Sequence, residues 1–248
     1  MKQLTTTRIS DRKGFSLFKK GRPFVHRGST ADFGVLKQIF KKRDYALDRH
    51  RRGPDIVREY ERIMQAGRRA LIVDAGANIG ASAVWFGKAF PQAQIAAFEP
   101  DSENCQLLAR NTADLNVEVH QAAVSSADGF VDLADPGIGE WGYQTQVNAS
   151  GAIKSIGLNA FVGQKIDEGF EPLIAKIDIE GAEGELFSQQ TDWVSKFPLI
   201  IIELHDWLRP GQGTSHSFLR TIAPLNRDFV YSGENIFSFR NELLPPAE

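Results

Sequence analysis

The sequence predicts an α/β fold in which a mostly parallel sheet is covered by helices on both faces. Three observations predict it. From residue 70 onward, short apolar runs alternate with stretches at helical spacing. The runs ALIVD (70–74), PLIAKIDIE (172–180) and FPLIIIELH (197–205) are almost continuously apolar, as strands buried on both faces are. Two late runs, RDFVYS and NIFSFR, are parted only by Gly233-Glu234, which adds a terminal antiparallel hairpin at the edge.

The elements follow in order. Residues 1–68 lack strand–helix alternation and read as a mainly helical leader. In TADFGVLKQIF (30–40), Phe33, Leu36, Ile39 and Phe40 fall on one helical face. GPDIVREYERIMQAG (53–67) is a clearer helix: Pro54 fits its first turn, Gly67 its stop, and Ile56, Tyr60, Ile63 and Met64 form its stripe. The main domain is predicted to span 69–248. ALIVD is its first strand and 79–90 the helix after it. QIAAFEP (94–100) is the second strand, and SENCQLLARNTA (102–113) the next helix, with Asp101 and Ser102 as caps. VEVHQAAV (117–124) and GFVDL (129–133) are further runs. GIGEWGYQT (137–145), carrying Trp141 and Tyr143, reads as a loop between strands. A short helix at 181–190 follows PLIAKIDIE, and another at 214–224 precedes the hairpin.

Bulk properties narrow the class. With 42% hydrophobic and 24% charged residues the chain matches ordinary soluble domains, not a disordered one. Cys105 is the only cysteine, so an intrachain disulfide and a four-thiolate metal site are excluded. That favours a reducing, cytoplasmic setting. MKQLTTTRISDRKGF has no apolar signal-peptide core, and no run reaches the roughly 18 apolar residues of a membrane span. Charge is divided unevenly. Residues 1–69 carry 19 Lys and Arg against 7 Asp and Glu, and the rest carry 10 against 24. A basic leader can reach for an anionic substrate, a membrane surface or nucleic acid, or it can pack on the acidic body and be neutralised there.

The chemistry centres on the turn after the first strand. DAGANIG ends a strand and opens a helix at the sheet edge where ligands bind in parallel folds. Gly76 allows close backbone approach, and Gly80 close helix packing. Asp74 can accept hydrogen bonds from a cationic or amino group. Glu99, 23 residues past Gly76, ends the next strand, at the spacing of an acid that accepts ribose hydroxyls. A dinucleotide fingerprint from Gly76 would need glycine at 78, and Asn78 breaks it although Ala81 fits. A nucleoside without phosphates suits this turn better, and S-adenosylmethionine is one.

The segments VDAGANIGASAVWF, IAAFEPDSENCQLLARN, LIAKIDIEGAEGELF and LIIIELH together resemble the FkbM-type methyltransferases. The resemblance covers residues 70–205, and ADFGVLKQIF with Tyr45 resembles a leader found in some members. It implies a class I methyltransferase fold: a Rossmann-like three-layer sandwich around a seven-strand sheet. It implies methyl transfer from S-adenosylmethionine, usually to a hydroxyl of a sugar, glycan or polyketide-type product. Cofactor contacts are then expected from Asp74, Gly76, Ala77, Asn78 and Gly80 in the turn, from Glu99 and Pro100, and from Asp178 and Glu180.

Residues at the tips of the later strands face the same cleft. A hydroxyl acceptor has to lose a proton, so a base or a metal must help. His205 is the expected base, because its ordinary pKa lies near neutrality. Asp178 can hold the amino group of the cofactor, or join Glu203 and His205 around a divalent ion such as Mg²⁺. No adjacent Asp-Asn or Glu-Asp pair follows the fifth strand, which leaves a metal requirement open. Glu180 and Glu183 can instead only favour a helix N-terminus. HDWLRPGQG (205–213) is either a lid or a plain connector. Arg110 and Asn111 have no expected role.

Three other functions compete. A nucleic-acid methyltransferase would use the basic leader, but the aromatic-flanked Asn-Pro-Pro or Asp-Pro-Pro motif is missing, and the only Pro-Pro lies at 245–246. A non-catalytic module is disfavoured by intact Asp74, Gly76, Glu99 and Asp178. A nicotinamide dehydrogenase is disfavoured by Asn78. The expected partner is a small-molecule or glycan acceptor, anionic ones included; nothing excludes a homo-oligomer.

Overall fold

The buried apolar runs become the centre of a sheet. A computed structural model describes residues 4–9, 22–134, 144–147 and 151–243. Its strands are β1 (Thr5–Ile9), β2 (Arg22–His26), β3 (Arg69–Ala75), β4 (Gln94–Phe98), β5 (Val117–His120), β6 (Ala123–Ser125), β7 (Gly129–Ala134), β8 (Gln144–Val147), β9 (Ile153–Gly157), β10 (Phe170–Ile177), β11 (Leu199–Glu203), β12 (Arg227–Ser232) and β13 (Asn235–Arg240). Its α-helices are α1 (Thr30–Leu36), α2 (Gly53–Gln65), α3 (Ala81–Ala89), α4 (Ser102–Thr112), α5 (Leu158–Asp167), α6 (Glu183–Leu186) and α7 (His216–Ile222).

Seven strands form the main sheet in the order β12-β13-β11-β10-β3-β4-β5. The five from β11 to β5 are parallel, and β13 runs antiparallel to both its neighbours. The terminal hairpin therefore forms with β13 inside the sheet and β12 at its edge. Ser232 pairs with Asn235 across the two-residue turn. Chain order reverses between β3 and β10, which puts the cleft beyond their carboxyl ends. Side chains alternate along β3: Ala70 and Ile72 enter one core, Leu71, Val73 and Ala75 the other. The first core is completed by α3 and α4, the second by α5, α6 and α7. The result is a three-layer α/β sandwich.

The leader departs from the mainly helical expectation. β1 and β2 make an antiparallel pair. Part of what holds β2 is tertiary, which local periodicity cannot show: Asn111 of α4 accepts from the Val25 N–H and donates to the Val25 carbonyl, both at 2.8 Å. After α1 the chain continues as a π-helix, Lys37–Lys42. Phe24, Phe40, Ile56 and Ile63 all sink into the first core. Leader cations also meet body acids, as in Arg52–Asp228 at 2.7 Å, Arg22–Asp114 and Arg62–Glu171. Part of the leader's charge is thus neutralised within the fold.

Three further expectations change. VEVHQAAV is not one strand: β5 ends at His120, and β6 leaves for a second sheet ordered β6-β9-β7-β8. β9 and α5 occupy 153–167, where no element was expected, because a five-residue strand against that sheet carries little pattern of its own. The helix expected at 181–190 is the single turn α6, since a turn with Glu180 and Gly181 at positive φ precedes it. Trp141, Tyr143 and Pro245-Pro246 lie outside the described residues. No helix among the described residues is long and apolar enough to cross a membrane.

Because Phe24 is fully buried in a core shared with the sheet, Phe24→Ala should cost about 3–5 kcal/mol. Equilibrium urea unfolding should show it as one shifted transition. A loss below about 1 kcal/mol, or a separate early transition for the leader, would contradict a common core.

Candidate active site

The site begins where β3 and β10 end side by side. A Cβ on Gly76 would stand 1.7 Å from the Asp178 carbonyl oxygen, and φ there is +75°. Only glycine fits. The close approach predicted at Gly76 is therefore to the neighbouring strand. The N–H groups of Gly76 and Ala77 both donate to the Phe98 carbonyl, at 3.0 and 2.9 Å. Gly80, at φ +90°, starts α3 and lies against Leu108 of α4, whose Cδ1 would be 2.9 Å from an added Cβ. Its role is packing.

A cation locks this junction. Lys176, inside β10, is buried; its Nζ donates to the carbonyls of Gly76 (2.7 Å) and Ala75 (3.2 Å). It also pairs with Asp74 at 3.3 Å and Asp178 at 3.5 Å. Burial alone would lower its pKa. The charges of Asp74 and Asp178 outweigh that and hold it above the usual lysine range, so it stays charged. Asp74 has no exposure, accepts from the Ser82 hydroxyl at 2.6 Å, and does not line the cavity. The cationic partner expected for it is Lys176.

A cavity of about 460 Å³ opens above the junction. On its β4 side stand Gly76, Ala77, Asn78, Phe98, Glu99, Pro100 and Asn104. The Glu99 carboxylate accepts from the Asn78 N–H (2.8 Å), the Asp101 N–H (3.0 Å) and the Asn104 amide (3.3 Å). Burial outweighs these bonds and pushes its pKa up to about 7. Asn78 holds a left-handed φ of +49° and caps itself, its Oδ1 accepting from the Ile79 N–H.

On the β10–β11 side the walls are Asp178, Glu180 and Glu203. Behind them His205, 1% exposed and not lining the cavity, meets Glu183 through Nδ1 at 2.7 Å. Its Nε2 lies 3.5 Å from Glu203, 3.5 Å from Glu180 and 3.6 Å from Asp178. Burial and the Asp178 charge push Glu180 up to about 8 and Glu203 to about 7. Burial pulls His205 down, but the Glu183 bond and the surrounding acids outweigh it and raise it to about 9. By itself His205 therefore holds its proton at neutral pH, which is not the state of a general base. Glu180 sits at φ +54°, a left-handed conformation that costs a non-glycine residue about 1–3 kcal/mol and here sets its carboxylate on the cavity wall.

The remaining walls come from segments whose place at the cavity the sequence left open. Val35, Gln38, Ile39 and Tyr45 come from the leader, Trp207 and Leu208 from the 205–213 loop, and Glu234 from the hairpin turn. Trp207 is 68% exposed. The loop is tied down by Asp206, which accepts from the Thr214 hydroxyl and the Ser215 N–H. Lys176 did leave a signal, as the one charge in the apolar stretch 172–177, and so did Asn104, three residues after a cap. The leader's only signal was the resemblance of ADFGVLKQIF with Tyr45, which does not say where that segment packs.

The acidic cluster makes stability depend on pH. Glu180, Glu203 and His205 all have folded pKa values above their ordinary ones. Each contribution is complete below the unfolded value and is lost as pH rises through the folded one. The melting temperature of chelator-treated protein should fall from about pH 5 to about pH 9. Glu203→Gln should flatten the lower half of that slope. A melting temperature that climbs over this window, or an unaltered slope in the variant, would contradict the cluster's electrostatics.

The domain model described as "Methyltransferase FkbM domain" matches residues 74–231. Hexuronic acid methyltransferase AglP of Haloferax volcanii is 28% identical over 210 residues, which are 81% of this chain and 83% of that protein. Methyltransferase sdnD of Sordaria araneosa is 43% identical over 67 residues, 25% of this chain and 26% of that protein. Among solved structures, a methyltransferase from Geobacter sulfurreducens aligns with 86% of this chain and 90% of its own, at 15% identity and a TM-score of 0.39. A precorrin-6y C5,15-methyltransferase from Geobacter metallireducens aligns with 70% and 81%, at 10% identity and a TM-score of 0.38. The fold assignment rests on the strand order, not on these two alignments. The matched span runs through both DAGANIG and KIDIEGAE and takes in most of the cavity wall: the chain belongs to the FkbM methyltransferase family.

Proposed function

We propose that this methyltransferase moves a methyl group from S-adenosylmethionine to a hydroxyl of a sugar or glycan. One observation carries the reading: a single cavity has a buried acceptor for hydroxyls, Glu99, on its β4 side and a group of carboxylates on its β10–β11 side. The residues present fit the cofactor. Glu99 is held by three N–H donors and keeps lone-pair capacity for a ribose hydroxyl. Phe98, Ala122, Ala123 and Val124 supply apolar wall beside it for a flat ring. A positively charged amino end beside Glu180 would draw its carboxyl back toward the charged form. No basic group among the lining residues is placed for a pyrophosphate, since Lys176 is committed to Asp74 and Asp178.

The sulfonium supplies an activated methyl group, and its displacement is in line, so the protein's task is largely positioning. Gly76 and Lys176 hold the two strand tips in register. The hydroxyl's proton is taken up within the carboxylate group that lines the cavity, where Glu203 is raised only to about 7. His205 serves there as a fixed partner of the acids, a positioning role in place of the expected base. Trp207 offers an exposed ring face against which a sugar's C–H face can stack. Gln38 and Glu234, 3.4 Å apart, add polar groups for further hydroxyls. The hexuronic acid named for the Haloferax relative makes sugar acids the first acceptors to try.

Glu99→Ala should weaken cofactor binding by about 1–3 kcal/mol, read by calorimetry. Unchanged affinity would remove Glu99 from the site. Labelled methyl transfer to a panel of glycans should mark sugar hydroxyls, hexuronic acids among them. Transfer confined to RNA or DNA, with steep salt dependence, would replace this acceptor class.

A further inference from the structure

We propose that Asp178, Glu203 and His205 form a binding site for a divalent first-row metal ion, with Glu183 and Lys176 as positioning residues behind it. One donor atom from each of the three lies within 4.8 Å of the other two. The carboxylates alone would be ordinary strand-tip acids. The histidine sets them apart. Its ring is buried, its Nδ1 is committed to Glu183, and its Nε2 makes no hydrogen bond among the described residues. At 3.5 to 3.6 Å, the three carboxylates ringing Nε2 stand beyond ordinary hydrogen-bond reach. Two donors each about 2.1 Å from one ion are about 3–3.5 Å apart at angles near 90–110°. The two histidine–carboxylate spacings come within a few tenths of an ångström of that range, and the Asp178 and Glu203 oxygens lie within 4.8 Å of each other.

The surroundings agree. Glu183 has no exposure and holds the Nδ1 side of the ring, the carboxylate–imidazole arrangement that aims Nε2 at a metal. Lys176 pairs with Asp178 Oδ2 and leaves Oδ1 turned to Nε2. Asp178 and Glu203 also line the cavity, so an ion between them would keep positions open toward it. Three carboxylates stand around one imidazole nitrogen, a cluster short of positive charge. One imidazole with two carboxylates favours Mn²⁺ or Zn²⁺ over Mg²⁺, which prefers oxygen alone.

The test needs no methyl acceptor, so its failure is distinct from failure of the sugar reading. Full-length protein is stripped with chelator and titrated with Mn²⁺, the free ion being followed by electron paramagnetic resonance. One Mn²⁺ per chain should bind. Asp178→Asn and Glu203→Gln should each weaken binding about tenfold or more, and Glu183→Gln should weaken it about tenfold through the histidine. Glu203→Gln relieves like-charge repulsion, whereas Asp178→Asn also removes a partner of Lys176, so circular dichroism is used to check that each variant folds. Absence of saturable Mn²⁺ and Zn²⁺ binding, or binding that both acid variants leave intact, would overturn the proposal.

Discussion

A single buried ammonium group holds this molecule's working end together. Lys176 lies in the buried stretch 172–177 of β10, which is otherwise apolar and where an unpaired charge would be intolerable. It is tolerated because two carbonyls at the end of β3 and the carboxylates of Asp74 and Asp178 surround it. Breaking such a pair from one side costs about 3–5 kcal/mol, while the intact pair adds little net stability. Its physical consequence is geometric. The tips of β3 and β10 are drawn to a separation at which Gly76 touches the Asp178 carbonyl, and no side chain is admitted between them.

From that junction the two sides of the cavity follow. The turn after β3 directs the Asn78 N–H at Glu99 and fixes its carboxylate on one side of the cavity. The tip of β10 carries Asp178 and the strained Glu180 to the other side, where they meet Glu203 and the ring of His205. The leader then closes the space from above with its π-helix, an element of low regularity that often marks functional positions. Leader and catalytic body are joined in one core, and leader residues form part of the wall a substrate would meet.

The strands that carry the site were legible in the sequence because their signal is local. ALIVD, PLIAKIDIE and FPLIIIELH are apolar on both faces, and DAGANIG announces a turn by composition alone. Glu99 was found from its spacing. What escaped depends on contacts between distant segments. β2 is held partly by Asn111, 86 residues away, and the 117–124 run divides between two sheets. Asp74 read as a ligand contact because its sequence neighbours do not show Lys176 102 positions later. His205 read as a base because a histidine at a strand tip is ambiguous until its neighbours are known. Glu183, 22 residues earlier, commits Nδ1 and leaves Nε2 facing three carboxylates.

The central claim is that one nucleoside spans the cavity, its ribose on Glu99 and its sulfur toward the carboxylates of β10 and β11. A crystal structure with S-adenosylhomocysteine measures this directly. The ribose oxygens should lie within hydrogen-bond distance of the Glu99 carboxylate, with the sulfur facing Asp178 and Glu203. A ligand seated in the reverse orientation, or anywhere outside this cavity, would contradict the account.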